Sequence, residues 1–166
     1  MKITTQQLPE IKLVGMTTRT NNTHLFEADP STNKIAATVQ KYFHGEQSQN
    51  ITHRKNPGTT YCAYTDYESD ANGDFTYFIG EEVTSFDNLP EGGFTPLTIP
   101  AQSYAKFTNG PAAMPEVCIN IWKKVWQMTP QELGGQRGYR TDFELYDERA
   151  QDHQNVVLDL YIGIKP

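Results

Sequence analysis

The segment Phe143-Glu144-Leu145-Tyr146 places one acidic side chain among apolar and aromatic ones. In a strand, Phe143 and Leu145 would share one face, and Glu144 and Tyr146 would share the other. A carboxylate enclosed by rings loses hydration, and a bound cation can compensate for that loss. Each ring face adds about 0.5–2 kcal/mol of attraction for a well-placed cation. From the residue types alone, however, an ordinary exposed glutamate is the commoner interpretation.

Aromatic residues that could surround such a carboxylate occur in both halves of the chain. Trp122 and Trp126 are one helical turn apart, which is typical of a stripe that packs on a sheet, although the same pair could line a pocket wall. Tyr146 shares the predicted face of Glu144 and is the best second candidate. The predicted ligand-binding residues are Glu144, Tyr146, Trp122, Trp126, Tyr64 and Phe107.

Other kinds of site receive little support. The four histidines are dispersed, without the spacings of a metal site, and we predict no metal. Gly92-Gly93 and Gly134-Gly135 lack the flanking pattern of a phosphate-binding loop, and we predict no cofactor. Cys62 and Cys118 are expected to be reduced, buried thiols.

Size and charge exclude several classes of protein. The 166 residues suffice for one domain, and the net charge of −6 comes without any concentrated basic patch. We therefore expect no direct binding of nucleic acid. No apolar run approaches the roughly 20 residues that span a bilayer, and the first residues do not resemble a signal peptide. The expected location is the cytoplasm.

The predicted elements occur in the same order twice. The first half has a strand, a helix stripe and a hairpin at 11–17, 35–43, 59–67 and 75–83. The second half has them at 103–108, 118–126, 141–146 and 156–164. The repeats, approximately 10–85 and 94–166, predict a single α+β domain with pseudo-twofold symmetry. Antiparallel sheets would carry the helices, with a ligand groove between the two units.

Local sequence supports a duplication. Tyr64-Thr65-Asp66-Tyr67-Glu68 aligns with Phe143-Glu144-Leu145-Tyr146-Asp147, and Phe78-Ile79-Gly80 aligns with Tyr161-Ile162-Gly163. In this alignment the first-half counterpart of Glu144 is Thr65. Only the second half would then carry the carboxylate, which predicts one site in the domain.

The ordered set of segments resembles the gyrase-inhibitor-like superfamily, which includes the effector-binding domains of bacterial AraC- and MerR-type regulators. The segments are Pro100–Thr108, Ile121–Trp126, Phe143–Tyr146 and Leu160–Ile164, and the likeness extends roughly from Ile11 to Pro166. The resemblance implies binding of small amphipathic, often cationic compounds in an aromatic pocket. The family's acidic residue corresponds to Glu144. The role implied is the sensing or sequestration of a drug or effector.

The resemblance also bears on partners and on catalysis. Regulators of this kind carry a DNA-binding segment, and we expect none here because the predicted domain begins within the first dozen residues. A monomer or a homodimer is expected. Some members of the superfamily hydrolyse reactive small molecules, with the glutamate as a general base for water. Hydrolysis with Glu144 as the base is therefore the alternative to a non-enzymatic binding role, which we favour.

Overall fold

An eight-stranded antiparallel sheet forms the centre of the protein in the computed structural model, which describes residues 2–22, 33–70 and 72–165. The strands are β1 Lys2–Leu8, β2 Ile11–Thr20, β3 Thr60–Thr65, β4 Phe75–Glu82, β5 Thr95–Ile99, β6 Gln102–Ala112, β7 Thr141–Tyr146 and β8 Val156–Ile164. The helices are α1 Lys34–Phe43, α2 Glu116–Gln127 and α3 Pro130–Leu133, with 3₁₀ segments at His44–Asn50 and Glu148–Ala150. This arrangement confirms the predicted α+β class.

The strand order shows the twofold repeat. The sheet runs β1-β6-β8-β7-β3-β4-β2-β5, so that β6-β8-β7 in one half matches β2-β4-β3 in the other. The edge strands are exchanged, since β1 pairs with β6 of the second half and β5 pairs with β2 of the first. The sequence prediction contained no strand at β1 because Lys2–Leu8 is mostly polar, as an edge strand with one uncovered side can be.

The pairing registers locate the pseudo-twofold axis. Phe78 pairs with Ala63 on β3, and its aligned counterpart Tyr161 pairs with Phe143 on β7. Ala63 and Phe143 are therefore counterparts of each other. They are also directly paired across the β3–β7 junction, so the axis passes between them.

This register corrects the predicted counterpart of Glu144. One residue beyond Ala63 is Tyr64, and one residue beyond Phe143 is Glu144, so Tyr64 and not Thr65 occupies the equivalent position. Thr65 pairs with Thr141, to which its hydroxyl is hydrogen-bonded at 2.9 Å. Because side chains alternate along β3, Thr65 lies on the face opposite to Tyr64. The alignment was wrong by one residue, and in a strand that error exchanges the two faces.

The two faces of the sheet have separate cores. Tyr61, Tyr104, Phe143 and Tyr161 form a ring cluster on the face of the sheet opposite to α1 and α2, and Phe143 stacks on Tyr161 with centroids 4.5 Å apart. On the other face, side chains of α1 and α2 join the strand residues in the larger core. Since burial of Phe143 in the ring cluster fixes the register of β7, it also directs Glu144 toward the helices.

The two long helices cover the sheet incompletely. Tyr42 of α1 is fully buried, whereas Phe43 beside it is 54% exposed. On α2, Trp122 is buried and Trp126 is 37% exposed. The predicted start of α1 at Asp29-Pro30-Ser31 lies outside the described residues. In the described ranges, α1 is capped by Asn33, and none of the helices has the length and apolar character needed to cross a membrane.

Candidate ligand-binding site

A cavity of about 720 Å³ lies between the two long helices and the sheet. Its wall is mostly apolar and comes mainly from α1, α2 and the strands β3, β4 and β7, with further residues from the adjoining loops. A volume of this size suits a drug-sized organic molecule. Phe43 and Trp126, the two partly exposed aromatic residues of the helices, both line it. The incomplete helix cover therefore coincides with a space large enough for a ligand.

Glu144 is the buried carboxylate of this cavity. It is only 2% exposed, yet both of its oxygens accept hydrogen bonds from neutral donors. The Tyr64 hydroxyl and the Trp122 indole N–H each donate to Oε2 at 2.6 Å, and the Tyr146 hydroxyl donates to Oε1 at 2.5 Å. These bonds solvate the carboxylate in place of water without cancelling its charge.

The donors are held by one another's rings. Tyr64 packs edge-on against Trp122 at a centroid distance of 5.0 Å and against Tyr77 at 5.4 Å. Trp126 lies 6.3 Å from Trp122 on the next turn of α2. Pairs at these distances stabilise each other beyond simple burial. The carboxylate is consequently fixed at the bottom of an aromatic cage built from three separate elements.

Asp142, two residues earlier on β7, is also buried but has different partners. Arg137 donates to its Oδ2 at 2.7 Å, the Tyr67 hydroxyl donates to the same oxygen at 2.5 Å, and the backbone N–H of Gly163 donates to Oδ1 at 2.7 Å. Its charge is thus neutralised by an ion pair. Among the residues that the structure describes, no cationic side chain forms an ion pair with Glu144.

The groups around Glu144 keep their protons at neutral pH. Burial first, and then the negative charge of Glu144, raise the pKa of the Tyr64 hydroxyl well above its ordinary value. The same two causes raise the pKa of the Cys62 and Cys118 thiols, which also line the cavity. Tyr64 therefore acts as a neutral donor. Within the described ranges, no three His, Cys, Asp or Glu side chains are grouped to hold a metal ion.

The structure brings five of the six predicted ligand-binding residues together. The residues that line the cavity are Glu144, Tyr146, Trp122, Trp126 and Tyr64. Phe107 does not, because it is fully buried in the core on β6, which β8 separates from β7. Phe107 is therefore not part of the cavity wall.

Most other cavity residues were absent from the prediction, and Phe43 and Arg137 are two of them. Phe43 belongs to the predicted apolar stripe of α1, and its exposure at the cavity could have been suspected only once the helix was placed. Arg137 follows Gly134-Gly135 in a loop. A single arginine in a loop carries no periodic signal, so nothing in the sequence indicated its position.

Comparison with known proteins gives consistent results. A family model described as Cass2, integron-associated effector binding protein, matches residues 4–164. The candidate transcriptional regulator protein YobU of Bacillus subtilis (strain 168) is 25% identical over 154 residues, covering 93% of this chain and 92% of YobU.

Solved structures show the same fold. The integron cassette protein VCH_CASS2 of Vibrio cholerae has a TM-score of 0.72 and 24% identity, covering 98% of this chain and 95% of that one. The protein SAV2435, solved with bound tetraphenylphosphonium, has a TM-score of 0.76 and 17% identity, covering 99% of this chain and 94% of that one. At these identities the structural likeness establishes the fold alone.

Proposed function

Because the chain belongs to the family of integron-associated effector-binding proteins, we propose that it binds a lipophilic organic cation whose positive charge lies beside Glu144. Membership confirms the resemblance to effector-binding domains indicated by the sequence. The observation that carries the proposal is the Glu144 carboxylate, which is buried, accepts hydrogen bonds from three neutral donors and lacks an ion-pair partner among the described residues.

Electrostatics explains why a cation is the expected ligand. Two unit charges 4 Å apart attract by about 4 kcal/mol at an effective dielectric constant near 20. The rings of Tyr64, Trp122 and Tyr146, which line the cavity, would add attraction wherever a ring face meets the cation. A neutral molecule of the same shape would gain only the apolar contacts. The carboxylate would therefore select for charge, while the rings and the apolar wall would accept a range of shapes.

The cavity also suits ligands with several aromatic groups. Its lining is mainly apolar, and Phe43 and Trp126 extend the aromatic surface toward solvent. SAV2435, which shares the fold, was solved with tetraphenylphosphonium, a cation of this chemical type. We propose a role in sensing or sequestering such compounds, in which binding and not turnover is the function.

Calorimetric titration of a cation and its neutral isostere would test the proposal. Tetraphenylphosphonium should bind, and benzyltrimethylammonium should bind better than its carbon isostere neopentylbenzene. Glu144→Gln should weaken both cations by about tenfold or more, which corresponds to 1.4 kcal/mol or more, and spare the neutral compound. The control is Glu148→Gln, which removes the same charge from an exposed position just beyond β7. Equal weakening of cation and isostere in Glu144→Gln would refute charge recognition.

Hydrolysis is the alternative use of the same carboxylate. A general base must accept a proton from water, but both oxygens of Glu144 already accept hydrogen bonds from fixed side chains. This arrangement favours a binding role. Mass spectrometry of reactive electrophiles incubated with the protein provides the decisive comparison. Product that forms with the wild type and disappears with Glu144→Gln, while binding persists, would assign catalysis instead.

A further inference from the structure

Arg137 is a second charged residue on the wall of the same cavity. It belongs to the loop between α3 and β7, and its side chain is 11% exposed. Its guanidinium lies 4.4 Å from the ring centroid of Tyr139 and 5.9 Å from that of Trp122, and one nitrogen, Nη2, donates to Asp142. The side chain is therefore held in place by two rings and one ion pair.

The only hydrogen bond found for Arg137 among the described residues is the one from Nη2 to Asp142. Its Nε is buried and has no hydrogen-bond partner among the residues that the structure describes. A buried donor left in this state costs about 1–3 kcal/mol, and more when the group is charged. An oxygen supplied by a ligand would recover that free energy. The Nε has almost no exposed surface as the side chain stands, so an acceptor in the cavity that Arg137 lines would reach it only after the guanidinium shifts toward the ligand.

The charge balance at this position defines the class of group. Asp142 neutralises the guanidinium, so the pair attracts an anion only weakly. A second cation on the ligand would meet the positive end of the pair and gain nothing from Asp142, whose oxygens are already occupied. A neutral hydrogen-bond acceptor fits this environment best.

We propose that Arg137 is a second recognition point, which binds a neutral acceptor oxygen of the ligand, such as a carbonyl, amide or ether. The inference rests on the proposed function, since the ligand's cation lies beside Glu144. Trp122 connects the two points, because its N–H donates to Glu144 while Arg137 lies over its ring. The preferred ligand therefore carries both a cation and a neutral acceptor, at a spacing that lets both of them approach Trp122.

A series of phosphonium ligands that differ only in the group at the end of one side arm tests the role of Arg137 in the wild-type protein. Triphenylphosphonium compounds would carry alkyl arms of about two to six carbon atoms that end in a primary amide or in an isosteric branched hydrocarbon. A third series would end in trimethylammonium. We expect the amide arm to bind about tenfold more tightly than the hydrocarbon arm at one arm length, and the dication to bind least well. No amide advantage at any length would overturn the proposal.

Two variants separate recognition from structural support. Asp142→Asn keeps the Arg137 donors, so the amide-to-hydrocarbon affinity ratio should persist or rise. The double variant Arg137→Met/Asp142→Asn removes the donors without leaving an unpaired buried charge, and its ratio should fall to about one. Equal ratios in the two variants would overturn the role of Arg137. If the double variant does not fold, the wild-type ratios alone decide.

The outcomes also distinguish the two proposals. If Glu144→Gln leaves binding of the hydrocarbon-arm phosphonium unchanged, the proposed function fails. If Glu144→Gln weakens that binding but the amide arm brings no advantage, only the role of Arg137 fails.

Discussion

Asp142 and Glu144 are two buried carboxylates on the same face of one strand, and their surroundings are opposite. Asp142 is fully buried and accepts from an arginine, a tyrosine and a backbone N–H. Glu144 is nearly as buried but accepts only from neutral side chains. Burial alone therefore does not identify a binding residue. The identity of the partners distinguishes the two carboxylates, because an ion pair leaves no charge for a ligand to satisfy whereas neutral donors leave one.

The largest expected effect is a loss of stability, which we expect on substitution of Asp142 but not of Glu144. Asp142→Ala leaves the Arg137 guanidinium and the Gly163 N–H without their acceptor, which should lower the free energy of unfolding by about 3–5 kcal/mol. Glu144→Gln should change it by less than about 1 kcal/mol, since the amide oxygen can still accept from Tyr64 and Trp122 while its NH2 group donates to the Tyr146 hydroxyl oxygen. Urea unfolding followed by circular dichroism measures both. The contrast between the two carboxylates breaks down if Glu144→Gln is as destabilising as Asp142→Ala.

A smaller pair of effects concerns one tyrosine donor of each carboxylate. Tyr67→Phe and Tyr64→Phe each remove one hydroxyl from a buried carboxylate, at a cost of about 1.5–3 kcal/mol in stability. Tyr64→Phe should also tighten tetraphenylphosphonium binding severalfold. Without the Tyr64 hydroxyl the buried charge of Glu144 is less well solvated in the free protein, so it gains more from a bound cation. Tyr67→Phe should change the affinity much less, because it keeps the ring that lines the cavity and removes a donor of Asp142, not of Glu144. Calorimetry on both variants checks this, and a shift of equal size in the two would contradict it.

The smallest expected effect is on thiol reactivity. Burial, followed by the charge of Glu144, raises the pKa of the Cys118 thiol, so little thiolate is present at pH 8 and alkylation should accelerate as the pH rises above that value. Removing the charge with Glu144→Gln should lower this pKa and increase the rate at pH 8 a few-fold. Asp142→Asn serves as the control. Mass spectrometry of iodoacetamide-treated protein gives the rates, and acceleration by Asp142→Asn alone would argue against the assignment.

Local pattern predicted the repeated elements because each one depends on residues near to it in sequence. Alternation placed Glu144 and Tyr146 on one face, and helix periodicity placed Trp122 and Trp126 together. Strand order depends on contacts between distant segments, so the position of Phe107 could not be obtained in this way. That the five cavity residues bind a ligand stays a prediction.

The duplicated fold also explains why only one of the two repeats carries a carboxylate at the position of Glu144. Tyr64 and Glu144 occupy equivalent positions on either side of the axis between Ala63 and Phe143. They are close enough for the tyrosine hydroxyl to donate to the carboxylate. A second glutamate at position 64 would bring two like charges together in a buried site, where one of them would have to be protonated. The two halves have therefore diverged into a donor and an acceptor.

The exchange of β1 and β5 has a consequence for the whole chain. Each half completes its sheet with a strand that precedes the other half's repeat, so neither can close its hydrogen-bonded edge alone. Opening either half should disturb the cavity between them, and unfolding should proceed as one cooperative event. A ligand in the cavity would then stabilise every strand at once, through mass action on a single folding equilibrium.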